Sequence, residues 1–226
     1  SLKSKQHSDM LMKLSEGQDN RVRRAIWSAL RNYKNNISVS NFLQEIITKD
    51  LKYYSVSDAF RALVVVDTAA ARKIVDKLLV RDSHTDVIRK SAISYFGSVK
   101  NNYNYQRLKT LAKYGGTTWD ARPEAVSQLA KYIGDKEETL DYFIKLLDDR
   151  SRRVRRTSVR VLGRYGNKEH LGYLDELLSK DPILKRDIRV AKKNIINGHE
   201  KNKKNSIGTD LDEAKRKLKE IKNILK

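Results

Sequence analysis

Apolar side chains fall along this chain in clusters spaced three and four residues apart, with charged residues filling the positions between them. That spacing marks one face of an α-helix. The clearest cluster is Val154-Arg155-Arg156-Thr157-Ser158-Val159-Arg160-Val161-Leu162-Gly163. With its first valine as position zero, the pattern recurs from Val22, Ile88, Ala121 and Ile188, and in degenerate form from Ser55-Val56. The second position of each copy falls at 23, 56, 89, 122, 155 and 189, so the intervals are 33, 33, 33, 33 and 34, and five of the six residues are arginine. About twenty residues beyond each of the first five anchors lies a second apolar cluster. Examples are Phe42, Leu43, Ile46 and Ile47, or Ile74, Val75, Leu78 and Leu79. Each unit is therefore read as two antiparallel helices. Neither helix buries its apolar stripe alone, so neighbouring units must stack into one continuous core.

The expected fold is all-α: a right-handed α-α superhelix of about six helix pairs over residues 1–197, as one solenoid rather than two globules. A polar linker is expected over 198–208 and an amphipathic helix over 209–226. In that last helix Leu211, Ala214, Leu218, Ile221 and Leu225 follow heptad spacing, suited to packing on the solenoid end or on a partner. Asn32–Asn36, Gly115–Thr118 and Gly166–Lys168 read as links between helices, and Gly115 as a left-handed helix end. Trp27 and Trp119, each near an anchor-helix start, are expected in the core or between repeats.

Composition narrows the function. There is no cysteine among the 226 residues, which excludes disulfides, thiolate metal sites and cysteine nucleophiles. At 39% apolar residues the core should be thin, and 34% charged residues suit exposed helices. No apolar run approaches the ~18 residues of a membrane span. The four histidines, His7, His84, His170 and His199, are far apart and outside any His-Glu-x-x-His context. No phosphate-cradling glycine loop and no Gly-x-Ser-x-Gly elbow is present. No catalytic, metal-binding or cofactor-binding residue is assigned, and the fragment is expected to be non-catalytic and cytoplasmic. The start at Ser1-Leu2, without a secretory core, suggests a piece of a longer chain.

The formal net charge is +20, with 23 basic against 10 acidic residues from Arg150 onward. The anchor arginines Arg23, Arg89, Arg122, Arg155 and Arg189 repeat at one structural position, which points to a scaffold role between adjacent helices. A second set faces the other way. Positions 0, +3, +4, +7 and +8 share one arc of the anchor helix, and +2, +6, +9 and +10 the opposite one. The outward basic residues are Arg24, Arg31, Arg61, Lys90, Lys131, Arg156, Arg160 and Arg164. They form either a basic stripe that attracts anions or simply a solvated face.

The order "leucine-rich helix, Asp-Asp, Val-Arg-x-x-x-x-x-x-Leu-Gly" over Leu146–Gly163 resembles the HEAT repeat family. Ser83-His84-Thr85-Asp86-Val87-Ile88-Arg89, followed one repeat later by Tyr114-Gly115 and Arg122, is similar to the C-terminal helical domain of microbial M1-family zinc aminopeptidases. That resemblance covers roughly residues 19–197. It implies a helical bowl beside a catalytic domain in cis, with its second helices on the concave wall, limiting access of peptide substrate. It also implies that zinc is held upstream of this chain. Two alternatives stay open. One is a free-standing HEAT-like binder of nucleic acid, the alkyl-purine DNA glycosylase type included, or of an acidic protein. The other is an assembly scaffold using the tail helix. No membrane partner is expected.

Overall fold

The computed structural model describes residues 2–136 and 138–198. The sequence-based tail helix at 209–226 lies outside the described residues, as does the linker beyond residue 198. Every regular element among the described residues is helical. The first-helix series is α1 (Leu2–Leu14), α3 (Ile37–Lys49), α5 (Thr68–Val80), α7 (Asn102–Ala112), α9 (Glu138–Lys145) and α11 (Leu171–Lys180). The second-helix series, carrying the anchors, is α2 (Asn20–Leu30), α4 (Tyr53–Val66), α6 (Val87–Ser98), α8 (Arg122–Leu129) and α10 (Arg152–Tyr165). It is completed by α12 over 185–198. Six helix pairs follow the 33-residue period, the pairing expected of an α-solenoid. α12 runs on through Asn197 and Gly198, where polar composition predicts the linker to open.

Local chemistry sets the helix starts. The Asp19 carboxylate accepts the backbone N–H groups of Arg21 and Val22 at 2.7 and 2.9 Å. Asn36, Asp67 and Asn101 do the same for Val39, Ala70 and Asn104. Each such cap is worth about 1 kcal/mol because it satisfies N–H groups that the first helical turn leaves unpaired. Ser151, the residue before α10, makes no side-chain cap. Asp149 accepts the Ser151 N–H at 2.8 Å instead.

The chain divides into two compact units, residues 1–132 and 133–226. In the first, α2 packs on α4, α4 on α6 and α6 on α8, while each second helix also packs on the first helix before it. The core between these layers holds Trp27, Leu43, Phe60, Leu63, Ile88, Phe96 and Leu108, all fully buried. Burying one such side chain contributes roughly 1.5–3 kcal/mol. Trp27 meets Phe42 at 5.8 Å between ring centroids, as an inter-helix contact should. Trp119 departs from expectation. It is 70% exposed and lies in the link between α7 and α8, three residues before α8 begins, so helical periodicity does not direct it into the apolar layer. Gly115 in that link has φ +78°, the left-handed conformation its position predicts.

In the second unit, α10 packs on α9 and on the 3-10 turn Leu146–Asp148, around Phe143, Leu147, Val154 and Leu162. α10 and α12 touch backbone to backbone: a Cβ built on Gly163 would lie 2.7 Å from the Cα of Ala191. Gly163 is therefore required by contact. Gly163→Ala should destabilise the protein by about 1–3 kcal/mol, overpacking outweighing the better helix propensity of alanine. Gly172, on α11, has open space where its Cβ would be. Gly172→Ala should be neutral or stabilising by up to about 1 kcal/mol. Urea unfolding midpoints of the two variants check the contrast.

Candidate functional site

The repeat arginines act on helix ends. The last turn of a helix leaves its carbonyl groups without N–H partners and carries partial negative charge. Arg89 Nε donates to the Leu79 carbonyl at the end of α5, at 2.6 Å. Arg122 Nε donates to the Ala112 carbonyl at the end of α7, at 2.7 Å. Arg155 Nη1 donates to the Asp149 carbonyl at 2.5 Å, while its Nη2 donates to the Asp181 carboxylate at 2.6 Å. In the degenerate second copy Val56 stands where the arginine would be, and the guanidinium arrives from elsewhere. Arg81 reaches back to the Ile47 and Asp50 carbonyls of the α3 end, at 2.7 and 3.0 Å. Arg23 departs from the pattern by binding the Asp50 carboxylate directly, Nη2 to Oδ2 at 2.5 Å.

Acidic residues complete the lattice. Asp86 pairs with Arg89 and accepts the Thr118 hydroxyl from the next link. Thr85 and Asp86 both have positive φ, 50° and 55°, a conformation costly for residues other than glycine. Lys90 Nζ donates to the Thr85 carbonyl at 2.7 Å and steadies the same turn. The hydrogen bond from Arg155 holds the Asp181 carboxyl below the usual carboxylate range, against burial and with help from Arg152. At Asp50 burial pushes upward, but the Lys52 N–H and Arg23 outweigh it, so that carboxyl also titrates low. Arg189 breaks the series. It is exposed and has no ion pair among the described residues: Asp181, at the end of α11, is already held by Arg155 and Arg152, and Asp187, two residues away, by Arg156 and Arg160.

The outward basic residues separate into three groups. In the first unit, Arg31, Arg61 and Lys131 come together at a groove of about 330 Å³ running across α2, α4, α6 and α8, with Glu124 and Tyr95 on its wall. Burial pulls the Lys131 ammonium pKa down and Glu124 opposes it. In the second unit, Arg156, Arg160 and Arg164 line a groove of about 1020 Å³ between α10 and α12. Its floor includes Gly163 and Ala191, so the absence of a side chain at Gly163 both permits the helix contact and opens the groove. Arg24 and Lys90 line neither groove: Arg24 Nε sits 2.7 Å from the Asp58 carboxylate of α4, and Lys90 serves the turn.

Two groove residues escaped the outward count. Arg186 lines the larger groove, and Asp187 receives both Arg156 Nε at 3.1 Å and Arg160 Nη2 at 2.9 Å. Arg186 lies two residues before the position-zero Ile188, so the outward rule run backwards past zero finds it. The forward outward positions of that copy, Val190, Asn194 and Asn197, are uncharged.

Cations outnumber carboxylates in both grooves, with Glu124 the acidic residue of the first and Asp187 that of the second. No group of three or more His, Asp or Glu side chains among the described residues is placed to hold a metal ion. No helix among them is long and apolar enough to cross a membrane.

Residues 106–191 match the family model described as HEAT repeats. The matched stretch runs from within α7 to within α12 and contains three of the anchor arginines, Arg122, Arg155 and Arg189. No curated protein matches the chain. Among solved structures, a designed armadillo repeat protein is similar at 17% identity and a TM-score of 0.36, over 82% of this chain and 98% of that one.

The helix-end arginines and the exposed one make a direct comparison. Arg89 is 8% exposed and serves a carbonyl and two carboxylates. Arg89→Ala should cost about 3 kcal/mol by leaving buried acceptors unpaired. Arg189→Ala should change stability by less than about 0.5 kcal/mol. Chemical denaturation of the two variants decides whether the motif is scaffold at position 89 and dispensable for folding at 189.

Proposed function

We propose that this chain is a non-catalytic helical-repeat binding module whose second-helix surface takes anionic groups. One observation carries the reading: six of the eight outward basic residues gather in two grooves, each lined by second helices. A merely solvated face would scatter its charges, and would have no cause to place them beside concavities. Clefts with an excess of one sign of charge concentrate counter-charged ligands and steer their approach.

The finer reading is that the module is the C-terminal helical domain of an M1-like zinc aminopeptidase. The stretches at Ser83–Ala92 and Lys113–Ala125 support it through their resemblance to that family. On this reading the catalytic domain lies upstream in cis, the grooves meet peptide substrate, and zinc belongs to the upstream domain. A cytoplasmic location accompanies it. Among the described residues no side chains are grouped to hold a zinc ion, and no catalytic step is assigned to them.

The test is retention on immobilised heparin, a polyanion, as a function of salt. The double variants Arg61→Gln/Lys131→Gln and Arg164→Gln/Arg186→Gln should each elute at lower salt than the parent chain. A control pair of equal charge loss away from the grooves, Lys34→Gln/Lys77→Gln, should shift elution less. Equal shifts for all three would show that total charge, not the grooves, governs binding. For the finer reading, a His-Glu-x-x-His helix encoded upstream in the same frame is the expected finding.

A further inference from the structure

The groove of the second unit has a chemistry more specific than positive charge. Arg156, Arg160 and Arg164 stand four residues apart on α10, in a row with a rise of about 6 Å per step. Arg186 faces them from α12. Arg156 and Arg160 are bound to one carboxylate, Asp187, which stands inside the groove lining. Arg164 and Arg186 have no ion pair among the described residues and are exposed. Ile183 and Val190, 62% and 53% exposed, give the same groove an apolar side, while Asn194 and Asn197 offer amide donors and acceptors.

We propose that this groove is a receptor for an acidic peptide segment, and that Asp187 occupies it as an internal competitor. The inference rests on the anion-binding reading above and assigns that reading one ligand class and one site. Asp187 shows the class: the guanidiniums of α10 already hold a side-chain carboxylate, in the geometry that an incoming glutamate or aspartate would adopt. Arg164 and Arg186 supply the charge that remains for a ligand. The apolar pair suits a peptide carrying aliphatic side chains between its carboxylates, and the asparagine amides suit its backbone. A nucleic-acid strand fits less well. No aromatic side chain lines the groove to stack a base. The volume of about 1020 Å³ is at the upper end of small-molecule pockets and admits a short peptide segment.

The experiment is fluorescence anisotropy of a fluorescein-labelled peptide of alternating glutamate and leucine, titrated with the full chain. A glutamine-for-glutamate peptide and an oligothymidylate of matching charge serve as further probes. Asp187→Asn frees Arg156 and Arg160 and should tighten the glutamate peptide by about tenfold, the effect of one charge pair gained. Arg164→Gln/Arg186→Gln should weaken it by about tenfold or more, and because neither residue has a folded-state ion pair among the described residues, circular dichroism should be unchanged. An Asp187→Asn variant that melts like the parent yet binds no tighter overturns the competitor role. Tighter binding of oligothymidylate than of the glutamate peptide overturns the ligand class. Peptide binding that responds only to Arg61→Gln/Lys131→Gln overturns the assignment to this groove while leaving the anion-binding reading standing. Absence of binding by any anionic probe removes both.

Discussion

A guanidinium laid against the carbonyl end of the preceding helix is the contact on which this architecture depends. Short helix pairs have little surface with which to define their mutual angle, and apolar packing is tolerant of small rotations. An arginine on the first turn of the second helix that must reach the last carbonyl of the first helix is far less tolerant. Arg89 and Arg122 reach last-turn carbonyls of α5 and α7 at 2.6 and 2.7 Å, and Arg155 reaches the Asp149 carbonyl that closes the 3-10 turn after α9, at 2.5 Å. The arrangement also uses the sign of the helix dipole, since a cation sits where the first helix ends and its partial charge is negative. Once the second helix is held in this way, the direction of its outward face follows, and with it the position of every groove-lining side chain.

The surface that results is not described by its net charge. Arg24, Arg156 and Arg160 look alike in sequence to Arg61 and Arg164, but the first three are matched by aspartates of the next second helix. Those aspartates consume part of the positive potential and orient what remains. The remaining positive charge is then concentrated at a few positions in each unit, and a variant scan that treats the basic residues as equivalent would blur two environments. Separating cations that hold neighbouring helices together from cations that face an open groove requires knowing the pair at 156 and 187, thirty-one residues apart in the chain.

Much of this was legible in the sequence. The period, the pairing of helices and the recurrence of arginine at one position all follow from spacing, because helical periodicity translates directly into direction. What spacing does not carry is the path of the links. Trp119 is apolar and close to an anchor, yet three-dimensional placement of the link, not hydrophobicity, decides that it stays exposed. Tyr105, in the polar sequence Asn-Tyr-Asn-Tyr-Gln, is buried against Tyr132, whose hydroxyl donates to the Phe96 carbonyl. Arg189 has the sequence of a scaffold arginine but not the free acceptor, and acceptor availability is a property of the neighbouring repeat. Asp187 was invisible as a groove residue because a single acidic position among many basic ones carries no periodic signal.

The second copy shows what such a lattice means for the repeats as modules. Val56 supplies no guanidinium, and the end of α3 is held by Arg81, which belongs by sequence to the following repeat. The second and third repeats are thus interlocked rather than self-sufficient cassettes. Excising the third repeat, or grafting the second into another array, would strand the α3 terminus without its donor even if every apolar contact were preserved. Consensus averaging would restore arginine at 56 and make Arg81 redundant, turning a shared component into a private one. The boundary at which this chain can be cut or recombined is therefore set by the reach of one side chain, not by the period.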